Sequence, residues 1–348
     1  MADVPGKGER ILLSKLKSIL SEHPIAEYMF IECSSIPFSE NLRYYCEEYC
    51  PVFNTKWCCP PNVGNISDNI AKCQSYQYAV IISIMTYDSK ADFYERHDAA
   101  KRNASKVLLD ISKQFDEILE EPTYGLFPGC VLCKTCAYPD HPCRFPDKWR
   151  PGIESHGVLL RPLLEEYQFT RYVEKDGFSY FGMLFFNAPL LDIRPEKVSL
   201  VHLINKSPEG AVFAEYQREC GLCSDFNAYS PLPAGHYAYN GADLYSPCVI
   251  TTNYPATSAL ISNELEHSDQ PVNLIIIDTD QHPVILSWAE DKLTAEIIKD
   301  HLSLYHRQGG TLIIPGILRH ITEDLGQLLP NWKIVVSDRE CNTLLDYI

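Results

Sequence analysis

The sequence predicts an α/β protein of two domains: an N-terminal α+β domain rich in cysteine, and a C-terminal Rossmann-like domain built on a parallel sheet. Two domains suit a chain of 348 residues, because single cores stop growing beyond roughly 250–300 residues. The C-terminal part alternates apolar strands with helical stretches, the order that produces a parallel sheet covered by helices. The N-terminal part instead holds most of the 14 cysteines. We place the domains at residues 1–192 and 233–348, joined by a connecting segment at 193–232.

The N-terminal elements follow from hydrophobic periodicity. The start, MADVPGKGERILLSKLKSIL, has the spacing of an amphipathic helix, and the segment from about Lys90 to Glu120 predicts a long surface helix. The runs YMFIEC, QYAVIISIMTYD and GFSYFGMLFF are rich in β-branched and aromatic residues and predict strands.

The C-terminal elements begin after a weakly patterned connection, for which we expect one strand and one short helix between about Asp192 and Pro233. The runs SPCVITTN, PVNLIIIDTD, TLIIPGI and WKIVVSD predict strands, and SWAEDKLTAEIIKDHLSLYHRQ predicts helix between two of them.

Charge and hydropathy exclude several classes of protein. A formal charge of −16 argues against nucleic acid and anionic membranes as partners, since both attract basic surfaces. No apolar run approaches the length of a bilayer span, and the N-terminus lacks the apolar core of a signal peptide. Cysteines clustered at metal-ligand spacing without an export signal predict a reducing, cytoplasmic location.

One short loop carries the densest chemistry, in the run GCVLCKTCAYPDHPCRFP. Cys130, Cys133 and Cys136 recur at two-residue gaps, and Cys143 follows after a turn. This C-x2-C-x2-C spacing is found in proteins that ligate cubane iron–sulfur clusters, because it brings soft thiolates to one side of a loop. Zinc stays open as the alternative, although four-thiolate zinc sites usually pair two separated C-x2-C units.

A second group of cysteines lies upstream, in RYYCEEYCPVFNTKWCCPPNVGN. We predict Cys46, Cys50 and Cys59 as ligands. Adjacent residues of an extended chain face opposite ways, so we expect only one of Cys58 and Cys59 to point at a metal. Whether this group forms a second cluster or shares a site with the downstream loop stays open, as does the reading of these residues as buried apolar thiols.

The other candidate ligands have weaker signals. Cys220 and Cys223 form a lone C-x2-C, which fits a metal half-site, a redox dithiol or coincidence. His141 lies inside the cysteine loop and is kept as a candidate ligand or hydrogen-bond donor. No phosphate-binding glycine loop, dinucleotide motif or serine-hydrolase motif occurs in the sequence.

The cysteine pattern over about residues 25–185 resembles a family of cysteine-rich, predicted metal-binding proteins of unknown function. That family carries C-x3-C, then C-P-P-x-x-G, and later C-x2-C-x2-C followed by C-R-x-P. The positions of this chain that match are Cys46, Cys50, Cys59, Cys130, Cys133, Cys136 and Cys143. The resemblance implies a [4Fe-4S] domain, with one or two clusters, but supplies no reaction.

Residues from about 245 to 348 are similar to the corrinoid-binding domain of the corrinoid iron–sulfur protein large subunit, which carries methyl groups in acetyl-CoA synthesis. The landmarks include TTN at 251–253, WA at 288–289, IPG at 314–316 and DRE at 338–340. In open parallel sheets, ligands bind beyond the carboxyl ends of the strands. The resemblance therefore implies cobalamin contacts from strand-end residues, namely Thr251, Thr252, Asn253, Leu286, Ser287, Trp288, Ala289, Gly316 and Ile317.

Two features leave methyl transfer and the cobalt ligands open. The chain lacks the D-x-H-x-x-G motif that supplies a cobalt-ligating histidine in other cobalamin proteins, as does the resembled domain. Leu286 stands where the resembled carrier has a threonine over the cobalt.

The combined reading is a corrinoid iron–sulfur protein that couples a [4Fe-4S] cluster to cobalamin, a redox or methyl carrier rather than a stand-alone enzyme. The expected partner is a methyltransferase or a low-potential electron donor protein, with a homodimer kept open. The alternatives are an iron–sulfur electron carrier or metal-handling protein without corrinoid, and a zinc-stabilised interaction protein.

Overall fold

The computed structural model describes residues 7–87, 93–170, 173–174, 177–189, 191, 193–200, 232–305, 307–337 and 347. The chain is an α/β protein that divides into two compact units, residues 1–222 and 223–348. Each unit is built on its own sheet. Most of the predicted connecting segment lies outside the described residues, so the predicted domain boundaries stay a prediction.

The first unit contains an antiparallel sheet and helices on both of its faces. Its strands are β1 (Glu27–Glu32), β2 (Tyr78–Tyr87), β3 (Tyr124–Leu126), β4 (Val173–Glu174), β5 (Gly177–Phe186) and β6 (Val198–Ser199). Its helices are α1 (Lys7–Glu22), α2 (Leu42–Tyr49), α3 (Ile66–Gln74), α4 (Phe93–Leu119) and α5 (Leu160–Glu166).

The strand order β3-β5-β2-β1-β6, with β4 paired to β5, places β2 at the centre. Alternate residues of β1 enter opposite cores: Phe30 packs with α1 and α4, whereas Met29 packs with α3 and α5. Because both faces are covered, the central strand β2 is a nearly continuous apolar run, interrupted by the buried Ser83. This layered core supports the loops that carry the cysteines.

The second unit contains a mostly parallel sheet. Its strands are β7 (Gly235–Tyr239), β8 (Cys248–Thr252), β9 (Val272–Ile277), β10 (Gly310–Ile314) and β11 (Trp332–Val336). Its helices are α6 (Pro255–Glu266), α7 (Val284–Ala289), α8 (Ala295–Leu304) and α9 (Thr322–Leu328).

The second sheet has the order β11-β10-β8-β9-β7, with β8 to β11 parallel and β7 antiparallel at the edge. Helix α6 packs on one face, and α7, α8 and α9 pack on the other. The strand that follows β8 in the chain, β9, lies on one side of β8 in the sheet, and the next strand, β10, lies on its other side. In sheets of this kind, the change of direction opens a crevice at the carboxyl ends of the two central strands. By this rule, the crevice of the second unit is expected between the ends of β8 and β10.

Most of the predicted elements occur where the periodicity placed them, including β1, β2, β5, α4 and the four parallel strands. The predicted helix from Ser287 to Gln308 is wrong as one element. It ends at Ala289 and restarts at Ala295, because Asp291 adopts a left-handed conformation with φ of 57° and Thr294 caps α8 by accepting a hydrogen bond from Ile297 N. The antiparallel edge strand β7 was not predicted.

None of the helices within the described ranges is long and apolar enough to cross a membrane. Cys220, Cys223 and the resemblance landmark at 338–340 lie outside the described residues.

Candidate functional sites

The first candidate site forms where the two cysteine segments of the first unit meet. Cys46 lies on α2 and Cys50 follows its last residue, while Cys58 and Cys59 lie in the turns that lead to α3. The downstream cysteines lie in the irregular loop between β3 and α5. Leu42 and Cys46, four residues apart, bury the same face of α2. The amphipathic helix therefore turns Cys46 inward.

Direct hydrogen bonds join the two segments. Lys56 Nζ donates to the carbonyl of Cys130 at 3.3 Å, and Trp57 Nε1 donates to the carbonyl of His141 at 3.1 Å. The Tyr138 hydroxyl donates to Asn54 Oδ1 at 2.6 Å. The loop is thus held against the upstream turns by the chain's own groups. His141 takes part through its backbone.

A cavity at this junction contains about 390 Å³ of space, part of it open to solvent. Its lining includes five cysteines: Cys58, Cys130, Cys133, Cys136 and Cys143. The side chains of Lys56, Trp57, Arg144 and Trp149 complete much of the wall. Because its metal-binding groups are thiols, the donor set suits a thiophilic metal. Two cations beside it would stabilise the negative charge of thiolates.

The upstream thiols form a group of their own. The Cys59 thiol interacts with Cys58 through a hydrogen bond and with Cys50 and Cys46 through charge. The Sγ atoms of Cys58 and Cys59 are 3.8 Å apart. The two residues lie in a turn, so the premise that they face opposite ways on an extended chain is wrong here. The prediction of Cys59 as the ligand stays a prediction.

The free thiols have divergent proton affinities. The Cys58 hydrogen bond lowers the pKa of Cys59, with Lys56 adding to the effect. The hydrogen bond with the Cys130 thiol lowers the pKa of Cys58. The hydrogen bond to Cys59 and burial have the opposite effect and together raise that pKa to about 11. Burial and the nearby Cys50 raise the pKa of Cys46 to about 11. The hydrogen bond with Cys58 and burial raise the pKa of Cys130.

All cysteines of the described residues are free thiols. Within those residues, no group of three or more His, Cys, Asp or Glu side chains is arranged so that it could hold a single metal ion.

Hydrogen bonds to backbone carbonyls hold the elements around the upstream cysteines in place. Arg43, on α2, donates to the carbonyls of Gly64 at 2.9 Å and Ser155 at 3.4 Å. Asn69, on α3, also donates to the Ser155 carbonyl, at 3.3 Å. The turn around Ser155 therefore ties α2 to the segment that carries Cys58 and Cys59. This turn belongs to the E-S-H-G sequence that follows the cysteine loop.

The second candidate site is the carboxyl edge of the parallel sheet in the second unit. Thr251 and Thr252 end β8 and Asn253 follows it, while Gly316 and Ile317 follow β10. These residues flank the crevice between the two central strands. Leu286, Ser287, Trp288 and Ala289 lie on α7, which begins soon after β9. The structure thus brings the predicted residues to one edge of the sheet.

Several of these side chains are engaged inside the unit. Thr252 Oγ1 and Ser287 Oγ both donate to the carbonyl of His282, at 2.9 and 3.1 Å. Asn253 Oδ1 accepts hydrogen bonds from the backbone N–H of Thr279 and Gln281, both at 3.0 Å. These bonds hold the loop after β9 in place. They leave Asn253 itself, Trp288 and Ile317 partly accessible.

A charged network under this edge was not predicted. His282 Nδ1 lies 2.9 Å from Glu290 Oε2, and Lys292 Nζ contacts both Glu290 at 2.8 Å and Asp280 at 2.9 Å. The Trp288 ring meets the His320 ring edge to face at 4.1 Å. The clustering of D-T-D-Q-H with E-D-K in the sequence is the signal that could have indicated it.

Residues 29–186 match the model of a family described as "Predicted metal-binding protein (DUF2284)". The chain is 26% identical over 136 residues to the acetyl-CoA decarbonylase/synthase complex subunit gamma of Methanothermobacter thermautotrophicus, which covers 37% of this chain and 29% of that protein. It is 30% identical over 113 residues to the corrinoid/iron-sulfur protein large subunit of Moorella thermoacetica, covering 29% of this chain and 24% of that protein. The chain thus spans less than a third of the length of these relatives. The chain therefore contains a segment similar to a family of predicted metal-binding proteins and a region similar to subunits of these two kinds.

Proposed function

We propose that this protein is a corrinoid iron–sulfur protein, with a [4Fe-4S] centre in the first unit and a cobalamin at the strand-end crevice of the second. The observation that carries the proposal is the cavity walled by five cysteines, within a segment that matches a metal-binding family. The C-x2-C-x2-C spacing of its loop favours iron–sulfur over zinc. The name of the relative from Moorella thermoacetica, a corrinoid/iron-sulfur protein large subunit, supplies the link to corrinoid chemistry.

When bound, the cluster would supply low-potential electrons and the corrinoid would supply a cobalt able to accept them and to carry a methyl group. The chain's own residues do the rest. Cys130, Cys133, Cys136 and Cys143 would hold the first centre. Lys56 and Arg144 lie beside these thiolates and would offset part of their negative charge.

The strand-end edge would bind the corrinoid through residues that stay accessible. Asn253 holds the loop after β9 and is partly accessible, whereas Gly316, which follows β10, is buried and would shape the edge from beneath. Trp288 offers an aromatic face at the same edge. Rossmann-like sheets bind ligands at this position, which supports the assignment.

The second candidate, an iron–sulfur electron carrier without corrinoid, is favoured by one observation. Thr251, Thr252 and Ser287 are all 0% exposed, and the last two already bond to His282. These three side chains therefore shape the crevice without reaching a ligand in it.

Metal analysis and absorption spectra of anaerobically purified protein, before and after incubation with iron, sulfide and hydroxocobalamin, test the proposal. We expect iron and sulfide together with one cobalt per chain. Iron without retained cobalt would favour the second candidate, and zinc alone would refute both.

Two variants assign the metals to their units. Cys133→Ser should remove the iron held by the Cys130 loop and leave cobalamin retention unchanged, whereas Cys73→Ala, which changes a buried thiol within an apolar cluster, should keep both. Trp288→Ala should weaken cobalamin retention at least tenfold with iron unchanged. Leu304→Ala, on the exposed side of α8, is its control. Equal cobalamin retention by all four variants would refute the strand-end site.

A further inference from the structure

The loop that carries the cavity cysteines is basic, although the chain as a whole is strongly acidic. Residues 130–150 contain four lysine and arginine residues and only two aspartates. The full chain has 46 acidic and 30 basic residues, which gives a formal charge of −16. The charge of this loop is therefore opposite to that of the chain.

Contacts within the loop bring three of its cations into one exposed patch beside the cavity. Arg144 lines the cavity and donates from Nη1 to the carbonyl of Thr135, next to Lys134, at 2.9 Å. Lys148 Nζ lies 5.7 Å from the centre of the Phe145 ring, and Phe145 follows Arg144 in the chain. Lys134, Arg144 and Lys148 are all exposed, and we call these three residues the basic rim.

The positive charge of the basic rim is not neutralised by any salt bridge within the part of the chain that the structure describes. Lys134 and Lys148 also lie outside the cavity lining, so contact with its thiols does not account for them. Exposed charges of this kind attract opposite charge on another molecule and steer its approach.

Apolar side chains lie among these charges. Leu132 and Phe145 line the cavity and are 36% and 39% exposed, and the rings of Trp57 and Trp149 line it as well. The Trp57 ring packs edge to face on Tyr138 at 5.2 Å, which fixes its position. An apolar centre with a charged rim is the usual composition of a protein–protein interface. Because this surface is already ordered, a partner would spend little free energy on ordering it.

We infer that the basic rim is the docking surface for an acidic electron-transfer protein, which exchanges one electron at a time with the metal centre of the cavity. The inference rests on the proposed iron–sulfur function and adds the charge of the partner and its place of contact. In each encounter the centre gains the one electron that the partner's reduced centre loses, and no bond forms or breaks. The cavity is partly open to solvent, so the partner can approach the thiols directly.

The acidic remainder of the chain makes the contact selective. Its negative charge would repel an acidic partner from other faces and would repel a long polyanion such as nucleic acid along most of its length. A small acidic protein needs to meet only the rim.

Binding of an oxidised, acidic ferredoxin to the reconstituted full-length chain tests the inference. In about 0.1 M salt the Debye length is about 10 Å, so the rim acts at contact while remote acidic residues are screened. There, Lys134→Glu combined with Lys148→Glu should raise the dissociation constant at least tenfold, and the difference from the parent protein should vanish at about 1 M salt. Lys15→Glu combined with Lys17→Glu, two exposed positions on α1 outside both cysteine segments, should bind like the parent protein.

Stopped-flow reduction supplies a second measurement. Reduced ferredoxin should reduce the rim variant at least tenfold more slowly than the parent protein. Reduced methyl viologen, a small cation, should reduce the rim variant at least as fast as the parent protein, because it does not need the rim. Iron content is measured for every form.

Three results would overturn the inference and, with iron retained, leave the proposed function standing. They are equal ferredoxin affinity in the parent protein and the rim variant, an equal loss of affinity in the α1 variant, and slower reduction of the rim variant by both reductants. Absence of iron from every form would refute the proposed function and the inference with it.

Discussion

His156 should make the first unit lose stability as the pH falls below 7. Its ring is 1% exposed and contacts the Tyr124 hydroxyl through Nε2 and Ser155 through Nδ1. Burial, with the nearby charges of Lys72 and Arg43, lowers the pKa of His156 from 6.5 to about 4. The folded protein therefore keeps this ring neutral at a pH where the unfolded chain would protonate it.

The magnitude follows from this shift. Above the unfolded pKa neither state binds the proton, so the contribution of His156 to stability is fully present. Between the two pKa values only the unfolded chain binds the proton, so each unit by which the pH falls lowers the free energy of unfolding by up to about 1.36 kcal/mol. At about pH 5 the loss relative to pH 8 amounts to about 2 kcal/mol.

Chemical denaturation of full-length protein, followed across this pH range, measures the effect. We expect His156→Asn to remove about 2 kcal/mol of the pH-dependent loss between about pH 8 and pH 5. His267→Asn changes an exposed histidine of the other unit and should leave the pH profile as it is. If the stability of His156→Asn fell with pH as steeply as that of the parent protein, this reasoning would be refuted. A titration of His156 near pH 6.5, observed by nuclear magnetic resonance, would refute it as well.

Further changes probe the support of the cysteine sites and their metals. Gly157→Ala should cost about 1–3 kcal/mol by denaturation, because Gly157 has φ of 73° and an added Cβ would lie 2.7 Å from Ile70. Gly241→Ala shares the positive φ but meets nothing within 4 Å, and an equal cost there would contradict the steric part of the argument. Glu27→Gln should cost about 1–3 kcal/mol, since it removes the carboxylate that lies 2.9 Å from Lys197 and accepts two hydrogen bonds from Thr170. A double-mutant cycle with Lys197→Met should show coupling. Chelation of bound metal should lower the thermal midpoint of the protein, and the more so the more of the sites were occupied, because the metal stabilises only the folded state. The far-ultraviolet circular dichroism should be retained, and its loss on chelation would contradict the prediction.

The fold was predictable where its pattern is local. Strand β5 was predicted with its observed bounds, Gly177–Phe186, because its sequence is a local run rich in aromatic and other apolar residues. Edge strand β7 was missed because GHYAY is polar and half exposed, and it becomes a strand only by pairing with β9. The break at Asp291 depends on a left-handed residue that composition does not specify.

The cysteine cavity was predictable only in part: four of its five cysteines belong to the predicted loop, but Cys58 was not predicted and Cys46, Cys50 and Cys59 do not line it. Spacing identified the cysteines of the 130–143 loop, since their grouping is written in the sequence. The position of Cys58 depends on a turn that places its thiol beside Cys59 and against Cys130. Such contacts between segments more than 70 residues apart arise from packing, which no spacing rule encodes.

The cysteine segments are held together by groups other than thiols, and this has a consequence for metal binding. Lys56, Trp57 and Tyr138 bridge the two segments, and both are anchored to a sheet with a covered core on each face. Small zinc domains fold only with their metal, because they have no such core. Here the fold itself brings the two cysteine segments together, although many residues separate them in the chain. Metal affinity then reflects the thiols and their local charges, with Lys56 and Arg144 as the side chains through which it would be tuned.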